Sequence, residues 1–525
     1  MKKNMKKVII VGGGFAGYLS ALFLNKKFPK LKIDIIKSSD KEQISAGEQT
    51  GKEHLQLFFE SLGIEETEWF SKTNSFLKLG NSFVGWGNRE NFDPRVGGPD
   101  VVNHSFIMEN KLYPLLRNGG GMKSVKDSMK YNDELHTELY QNSFLETPID
   151  NTDDYIDSLK KHFKNSFFNR KNNRAIAHMH DWLEIGKFIE TKFDDNVKII
   201  TEHITDVVVD KKNNTIEYLV SKDREKIKAD HYVDCTGLSR VLISKLSKVV
   251  DLSDEYPVNS AVFGPVEYID RTKEMVPTLY TTALKNGYSF KTPLQHRIGT
   301  GYVYSDKYIS KDEAIDEIND YLGGRFKSDQ VNHLKWTPSH VVKPFQKNCS
   351  AVGLAGQFDC PMESTVFTNI STALQQLGNY LNRDNKLLYT NRSDIRDEDM
   401  LNYCNTWTEY TFHNTRHFKQ MVYYTTDRDD SEFWKNIKTL NYSDIFYKKL
   451  SFFLDNSFDY IMENRNKFPD YTPPTNFNIN EDRFWRLFQK GYKGYFRYMG
   501  RKGVGHSMIL DVNNWLIVLA YKKYI

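Results

Sequence analysis

Residues 6–28, KKVIIVGGGFAGYLSALFLNKKF, read as a short apolar strand, a glycine turn, then a helix with Leu19, Leu22 and Phe23 among its apolar positions. Gly12, Gly14 and Gly17 fall on the three glycines of the GxGxxG pattern. That spacing serves a tight turn, a backbone able to touch pyrophosphate, and a closely packed helix whose positive N-terminus faces the anion. The strand before and the helix after set it apart from a chance glycine-rich turn. Gly12, Gly14, Phe15, Ala16 and Gly17 are therefore read as a dinucleotide-binding segment. The next strand, LKIDIIKSSD (31–40), is expected to end on an acid that holds a ribose hydroxyl. Lys37 and Ser38 stand there instead, which leaves Ser38 or Asp40 for the ribose, or Lys37 for phosphate or the adenine rim.

Two further junctions have the same character. ADHYVDCTGLSRVLI (229–243) runs from a strand into a glycine turn, with Asp234, Thr236 and Gly237 at the junction. NCSAVGLAGQFDCPMESTVF (348–367) again gives strand, glycine turn and helix. Units this far apart in one chain are typical of FAD proteins, in which the chain leaves the nucleotide-binding fold and returns to it. The expectation is an α/β, Rossmann-like FAD-binding fold, without a nicotinamide-binding module of its own.

The 525 residues, 39% hydrophobic and 14% aromatic, suit a large folded core and more than one packed unit. A net charge of +4 gives no reason to expect nucleic acid or an anionic membrane as partner. The basic opening leads into only a few apolar residues before glycine, and WLIVLAY near the C-terminus is far too short to span a bilayer. Cys235, Cys349, Cys360 and Cys404 are widely spaced, so a reduced, cytoplasmic protein without structural zinc or disulfides is expected. Loops are expected at 91–100 and 117–127, and the last 150 residues read mostly as helices joined by polar loops.

SFLKLG (75–80) places Lys78 inside an apolar run that continues to Phe83, Val84 and Trp86. A solvated strand-edge lysine and a reactive amine in a desolvated pocket have the same pattern. The run HMHD (178–181) is placed at the start of a helix and, with no third ligand nearby, is read as structural and not as a metal site.

Over most of its first 380 residues the chain resembles the flavin-dependent halogenases of the tryptophan-halogenase type, relatives of the flavin monooxygenases. GGGFAGYLSAL (12–22) is similar to the family's opening, and SAGEQT (45–50) to its GVGEAT segment, which places Gly47 and Glu48. FLKLGNSFVGW (76–86) resembles the strand carrying the family's catalytic lysine, which falls on Lys78. VNHSFIM (102–108) is similar to a substrate-pocket His-Pro-Phe segment, giving His104 and Phe106, and DCTGLSRVLI (234–243) to DCTGFRSLLI. LKNGYSFKTPLQHRIGTGYVYS (284–305) resembles the surroundings of WxWxIP, FDCPMESTVF (358–367) resembles FxEPLESTGI, and YYTTDRDDSEFW (423–434) resembles the Thr-x-Arg-x-Asp…Phe-Trp region. The active-site glutamate then falls on Glu363, the halide site on Thr365 and Val366, and further cofactor contacts on Ser38, Gly356 and Pro361.

The resemblance implies a flavin monooxygenase fold in which residues 1–380 combine nucleotide-binding segments (near 6–50, 229–245 and 348–380) with a mixed β-sheet substrate layer. Residues 381–525 would form a mostly helical subdomain over the substrate site. It further implies that reduced FAD and O2 give a flavin C4a-hydroperoxide, that a halide ion attacks it to give hypohalous acid, and that Lys78 delivers the halogen. Lys78 would either hydrogen-bond the oxidant or form a haloamine, with Glu363 accepting the arenium proton or polarising the oxidant. The partners implied are a small electron-rich aromatic substrate, indole- or phenol-like, and a separate NAD(P)H flavin reductase; a homo-oligomer stays open, as does the choice among chloride, bromide and iodide. Three departures bear on this, one being that the C-terminal part, which in the family supplies substrate contacts, matches poorly, so tryptophan itself is not implied as the substrate. Tyr288-Ser289-Phe290-Lys291-Thr292-Pro293 replaces WxWxIP, keeping aromatic bulk but less of it, and Val366 replaces a glycine where a β-branched residue must hold negative φ. The competing functions are an aromatic flavin monooxygenase and a flavin-binding protein without catalysis.

Overall fold

The computed structural model describes residues 5–38, 48–49, 54–86, 101–105, 177–327, 330–381 and 397–456, with scattered positions between 460 and 469. Gly47, Phe106, the loops expected at 91–100 and 117–127, and all residues after 469 lie outside this set.

The nucleotide-binding layer is a six-stranded sheet built from β1 (Lys7–Val11), β2 (Lys32–Lys37), β8 (Val197–Thr201), β12 (His231–Asp234), β20 (Phe345–Gln346) and β21 (Cys349–Ala351). Its order is β20-β21-β12-β1-β2-β8, parallel throughout except for the β20 edge. Strand β1 is a continuous apolar run because it is central and covered on both faces, as parallel strands are. Strands from residues 7, 231 and 349 lie side by side, so the three glycine junctions expected from the sequence meet at one end of one sheet.

A second, seven-stranded layer has the order β18-β14-β17-β16-β15-β5-β6. Its strands are β5 (Gly80–Val84), β6 (Val101–Ser105), β14 (Ser260–Val266), β15 (Leu279–Leu284), β16 (Gly287–Pro293), β17 (Ile298–Tyr304) and β18 (Asn332–Lys335). It is mixed: β5 runs parallel to β15, and the other pairs are antiparallel. Among the described residues three small sheets complete the β structure. One comprises β9 (Ile204–Asp210), β10 (Thr215–Ser221) and β11 (Lys226–Ile227); another β13 (Val249–Asp251), β19 (Ser339–Val341) and β22 (Gln357–Phe358). The third comprises β3 (Glu48–Gln49), β7 (Ala177–His180) and β4 (Phe76–Lys78), and β4 leads across Leu79 into β5 of the seven-stranded layer.

The apolar stretch around Lys78 is expected as one strand. It is two. Strand β4 pairs with β7 and ends at Lys78, the Leu79 N–H donates to the Pro277 carbonyl at 2.7 Å, and β5 begins at Gly80 in the seven-stranded sheet. The lysine therefore sits at a corner where the chain changes sheets, and both sheets bury it.

Helices Phe15–Lys27 and Trp182–Glu190 cover the nucleotide layer. Helix Thr365–Leu381 follows the third junction and packs beneath the long helix Asp397–Tyr424. That long helix enters two cores: Tyr403, Trp407 and Tyr410 join the apolar residues of the nucleotide layer, and Phe412, Met421 and Tyr423 those of the seven-stranded sheet. Helices Glu432–Ile437 and Asp444–Leu454 extend the second core. No described helix is long and apolar enough to cross a membrane.

Candidate active site

The first glycine turn is packed below and open above. A Cβ on Gly12, whose φ is +116°, would lie 2.1 Å from the Cys235 carbonyl oxygen, and one on Gly17 would lie 2.0 Å from that of Gly12. Above Gly14 nothing stands within 4 Å. The helix that starts at Phe15 has no side-chain cap, so Phe15, Ala16 and Gly17 form a first turn whose N–H groups suit an anion. This cradle fits the diphosphate of FAD. Gly353, at φ +71°, brings the third junction against the first, within 2.9 Å of Ala16 Cβ for an added Cβ. Asp234 has a structural task. Its carboxylate accepts from the N–H groups of Thr236 (3.0 Å), Leu242 (2.9 Å) and Ile243 (2.8 Å) and from the Thr236 hydroxyl (2.6 Å), which shapes the second junction. Ser38 follows β2, half-buried, with its hydroxyl 3.3 Å from His203 Nδ1. Glu48 lies opposite His180 across β3 and β7. Gly356 closes the 3₁₀ turn Gly353–Ala355, and Pro361 precedes the next one.

Lys78 is fully buried. Burial pushes its amine down to about 7, against the pull of the nearby Glu363 carboxylate. Glu363 lies in the turn Met362–Ser364, in the left-handed region at φ 61° and ψ 14°. It is therefore not an ordinary acid in the first turn of a helix; helix Thr365–Leu381 begins two residues later. A left-handed glutamate is uncommon and persists where surrounding contacts over-determine it. One of those contacts is Asn81 of β5, whose side-chain N–H donates in a short hydrogen bond to Glu363 Oε2. Sequence reasoning missed Asn81. It lies three residues after Lys78, but only the corner at Leu79 turns both toward Glu363.

The β5–β6 register sets His104 opposite Asn81, so the backbone of the expected substrate-pocket histidine borders this cluster. Tyr288, at the first tryptophan position of the departing segment, packs against Trp86 (5.9 Å between ring centres) and Tyr423 (6.3 Å). Trp86 in turn meets Trp434 edge-on at 5.3 Å, so Tyr288 belongs to a cluster of buried rings. Phe290, the second such position, is half-buried. Thr365 is buried and Val366 half-buried, both in the first turn of their helix and so at the negative φ that a β-branched residue requires.

The HMHD run is not at a helix start. His178 and His180 belong to β7, and Asp181 caps the helix that begins at Trp182 by accepting from the Leu183 N–H at 3.0 Å. His178 Nε2 lies 2.9 Å from Glu66 Oε1, and its ring packs edge-on to Trp69. Burial holds His180 down to about 3, so it stays neutral. Among the described residues no group of three metal-ligating side chains is assembled.

The family model described as tryptophan halogenase matches residues 7–489. The chain belongs to the tryptophan halogenase family. A tryptophan 6-halogenase of Streptomyces albogriseolus is 27% identical over 458 residues, which cover 85% of this chain and 81% of that one. Among solved structures, the tryptophan 6-halogenase of Streptomyces toxytricini superposes with a TM-score of 0.67 at 20% identity, covering 99% of this chain and 100% of that one. A flavin-dependent halogenase from Xanthomonas campestris superposes with a TM-score of 0.66 at 21% identity, covering 99% and 95%. Membership makes this chain a flavin-dependent halogenase by class, and the nucleotide cradle and mixed second sheet are the architecture expected of one.

Proposed function

We propose that the protein halogenates a small, electron-rich aromatic, indole- or phenol-like, with Lys78 as the residue that delivers the halogen and Glu363 as its partner. The observation that carries this reading is the fully buried Lys78 amine, held down to about 7 and set beside a carboxylate that Asn81 orients. A solvated strand lysine would keep its proton and its water.

Gly12, Gly14, Phe15, Ala16, Gly17, Ser38, Gly47, Glu48, Gly356 and Pro361 are proposed to hold FAD, which reaches the protein in reduced form from a separate NAD(P)H-dependent reductase. Reduced FAD with O2 and a halide ion, chloride, bromide or iodide, is the source of hypohalous acid. Thr365 and Val366 are proposed to bind the halide through their backbone, and His104 and Phe106 to line the substrate pocket. Near its midpoint of about 7, Lys78 offers a neutral amine without a large change in pH. Nζ attacks the halogen, the N–X bond forms as X–O breaks, and the hydroxide leaves as water with an amine proton. The ring carbon then attacks the halogen, N–X breaks with its electron pair going to Nζ, and Glu363 takes the arenium proton and passes it to that nitrogen, so the Lys78 amine is restored. A protonated Lys78 would act instead by a hydrogen bond that polarises the oxidant.

The test is a panel of aromatics with reduced FAD and each halide in turn, read by mass spectrometry. The expected product gains a halogen and loses a hydrogen, and Lys78→Ala abolishes it. A product that gains only oxygen, formed equally by Lys78→Ala, would overturn the reading in favour of hydroxylation.

A further inference from the structure

The strained turn that carries Glu363 is stapled from behind. Asp359 and Thr365 flank it on the two sides, and the same ammonium holds both. Lys419 Nζ, on helix Asp397–Tyr424, pairs with Asp359 Oδ1, donates to Thr365 Oγ1 at 3.0 Å and reaches the Cys360 carbonyl at 3.5 Å. Its three protons are thus used on three groups of one loop, and its side chain is wholly buried. Asp359 is held in turn: Tyr256 donates its hydroxyl to Oδ2 at 2.6 Å, and the Cys360 N–H donates to Oδ1 at 2.7 Å. The Asp359 carbonyl accepts from Trp336 Nε1 at 2.8 Å.

A buried ion pair is weak support for stability, since apolar residues often replace one at no cost. A pair whose cation also grips Thr365 has a geometric task that apolar packing would not do. We propose that Lys419, anchored by Asp359, is a positioning residue: by donating to the Thr365 hydroxyl it fixes the Cys360–Thr365 backbone, and so sets where the Glu363 carboxylate meets Asn81 and how the Thr365–Val366 backbone faces a halide. The halide part rests on the function proposed above. The placement of Glu363 rests on the contacts alone.

The charge-neutral variant Lys419→Met with Asp359→Asn removes the staple without stranding either charge. Thr365→Val removes only the hydroxyl that Lys419 grips. In both the double variant and Thr365→Val, KM for halide is expected to rise about tenfold with KM for the aromatic unchanged. The Lys78 titration, followed by NMR of [ε-13C]lysine-labelled resting protein and assigned with Lys78→Met, is expected to fall below about 7 as Glu363 moves away. A folded Thr365→Val protein with the parent's halide KM and Lys78 titration overturns the proposal, and it serves alone where the double variant does not fold. Should the parent itself give no halogenated product, the function fails while the resting-state titration still decides the staple.

Discussion

At the scale of the residue, Lys78 would link stability to the proposed chemistry through one proton. Its folded value of about 7 lies below the 10.5 of an unburied lysine, so between these pH values the unfolded chain holds a proton that the folded chain lacks. Stability therefore rises with pH across that window, and the penalty is present in full below it. The shift corresponds to roughly 5 kcal/mol. Urea unfolding at pH 7 and pH 9.5 should show the parent gaining stability over this interval relative to Lys78→Met, which lacks the titrating group. Single-turnover halogenation should rise as pH passes through about 7 if the neutral amine takes up the halogen, and fall if the ammonium does the work. Glu363→Gln keeps an acceptor for Asn81 but removes the charge. We expect halogenated product to fall by about 10²–10³-fold in a rapid-quench assay, with flavin reoxidation unchanged. Lys78 and Glu363 were legible in the sequence only through matched segments, because nothing local to SFLKLG separates a buried amine from a solvated one. Asn81 and Lys419 were not legible: the partner of each is 282 or 54–60 residues away and is reached through the fold.

At the scale of the element, the glycine turns were the clearest features of the sequence, since each requirement is local. Gly17→Ala would place a Cβ 2.0 Å from a backbone oxygen, which cannot yield as a flexible side chain would. The helix must then lift from the turn, and FAD affinity measured by flavin fluorescence should drop by at least about a hundredfold. The division of FLKLGNSFVGW into two strands was not legible, because the hydrogen bond from Leu79 to Pro277 that turns the corner is a long-range choice. The small sheet made there has a further geometric effect. Glu48 and Lys78 pair with opposite edges of β7 at His180 and Ala177, so their backbones stand on the order of 10–15 Å apart. On the function proposed above, an oxidant made near Glu48 would have to travel to reach Lys78.

At the scale of the whole molecule, the segment resembling the Thr-x-Arg-x-Asp…Phe-Trp region proves to be a clamp between the C-terminal helices and the seven-stranded sheet. Arg428 donates to the carbonyls of Gly85 (3.0 Å) and Ala283 (3.1 Å), pairs with Asp430, and lies over the Trp434 ring at 4.8 Å. The Thr426 hydroxyl donates to the Trp86 carbonyl at 2.7 Å. Arg428→Met should cost about 3–5 kcal/mol in urea unfolding, and Arg428→Lys should not restore it, since a point charge cannot serve carbonyls and carboxylate together. The sequence showed this patch as a resemblance, and its structural task needed the sheet it grips.

The strand order of the nucleotide layer also carries a consequence for how the protein is made. Strand β1 leaves the ribosome well before its neighbours in the sheet: β12 begins at His231, and β21, which flanks β12, at Cys349. At about 5–20 residues per second, tens of seconds of synthesis separate the first strand from the last of these. Glu363 and Lys419 emerge later still, so until then the Lys78 corner has neither its carboxylate nor the stapled turn that holds it. Chains released early would expose apolar strand edges without their neighbours, and soluble yield should depend strongly on growth temperature and chaperone supply.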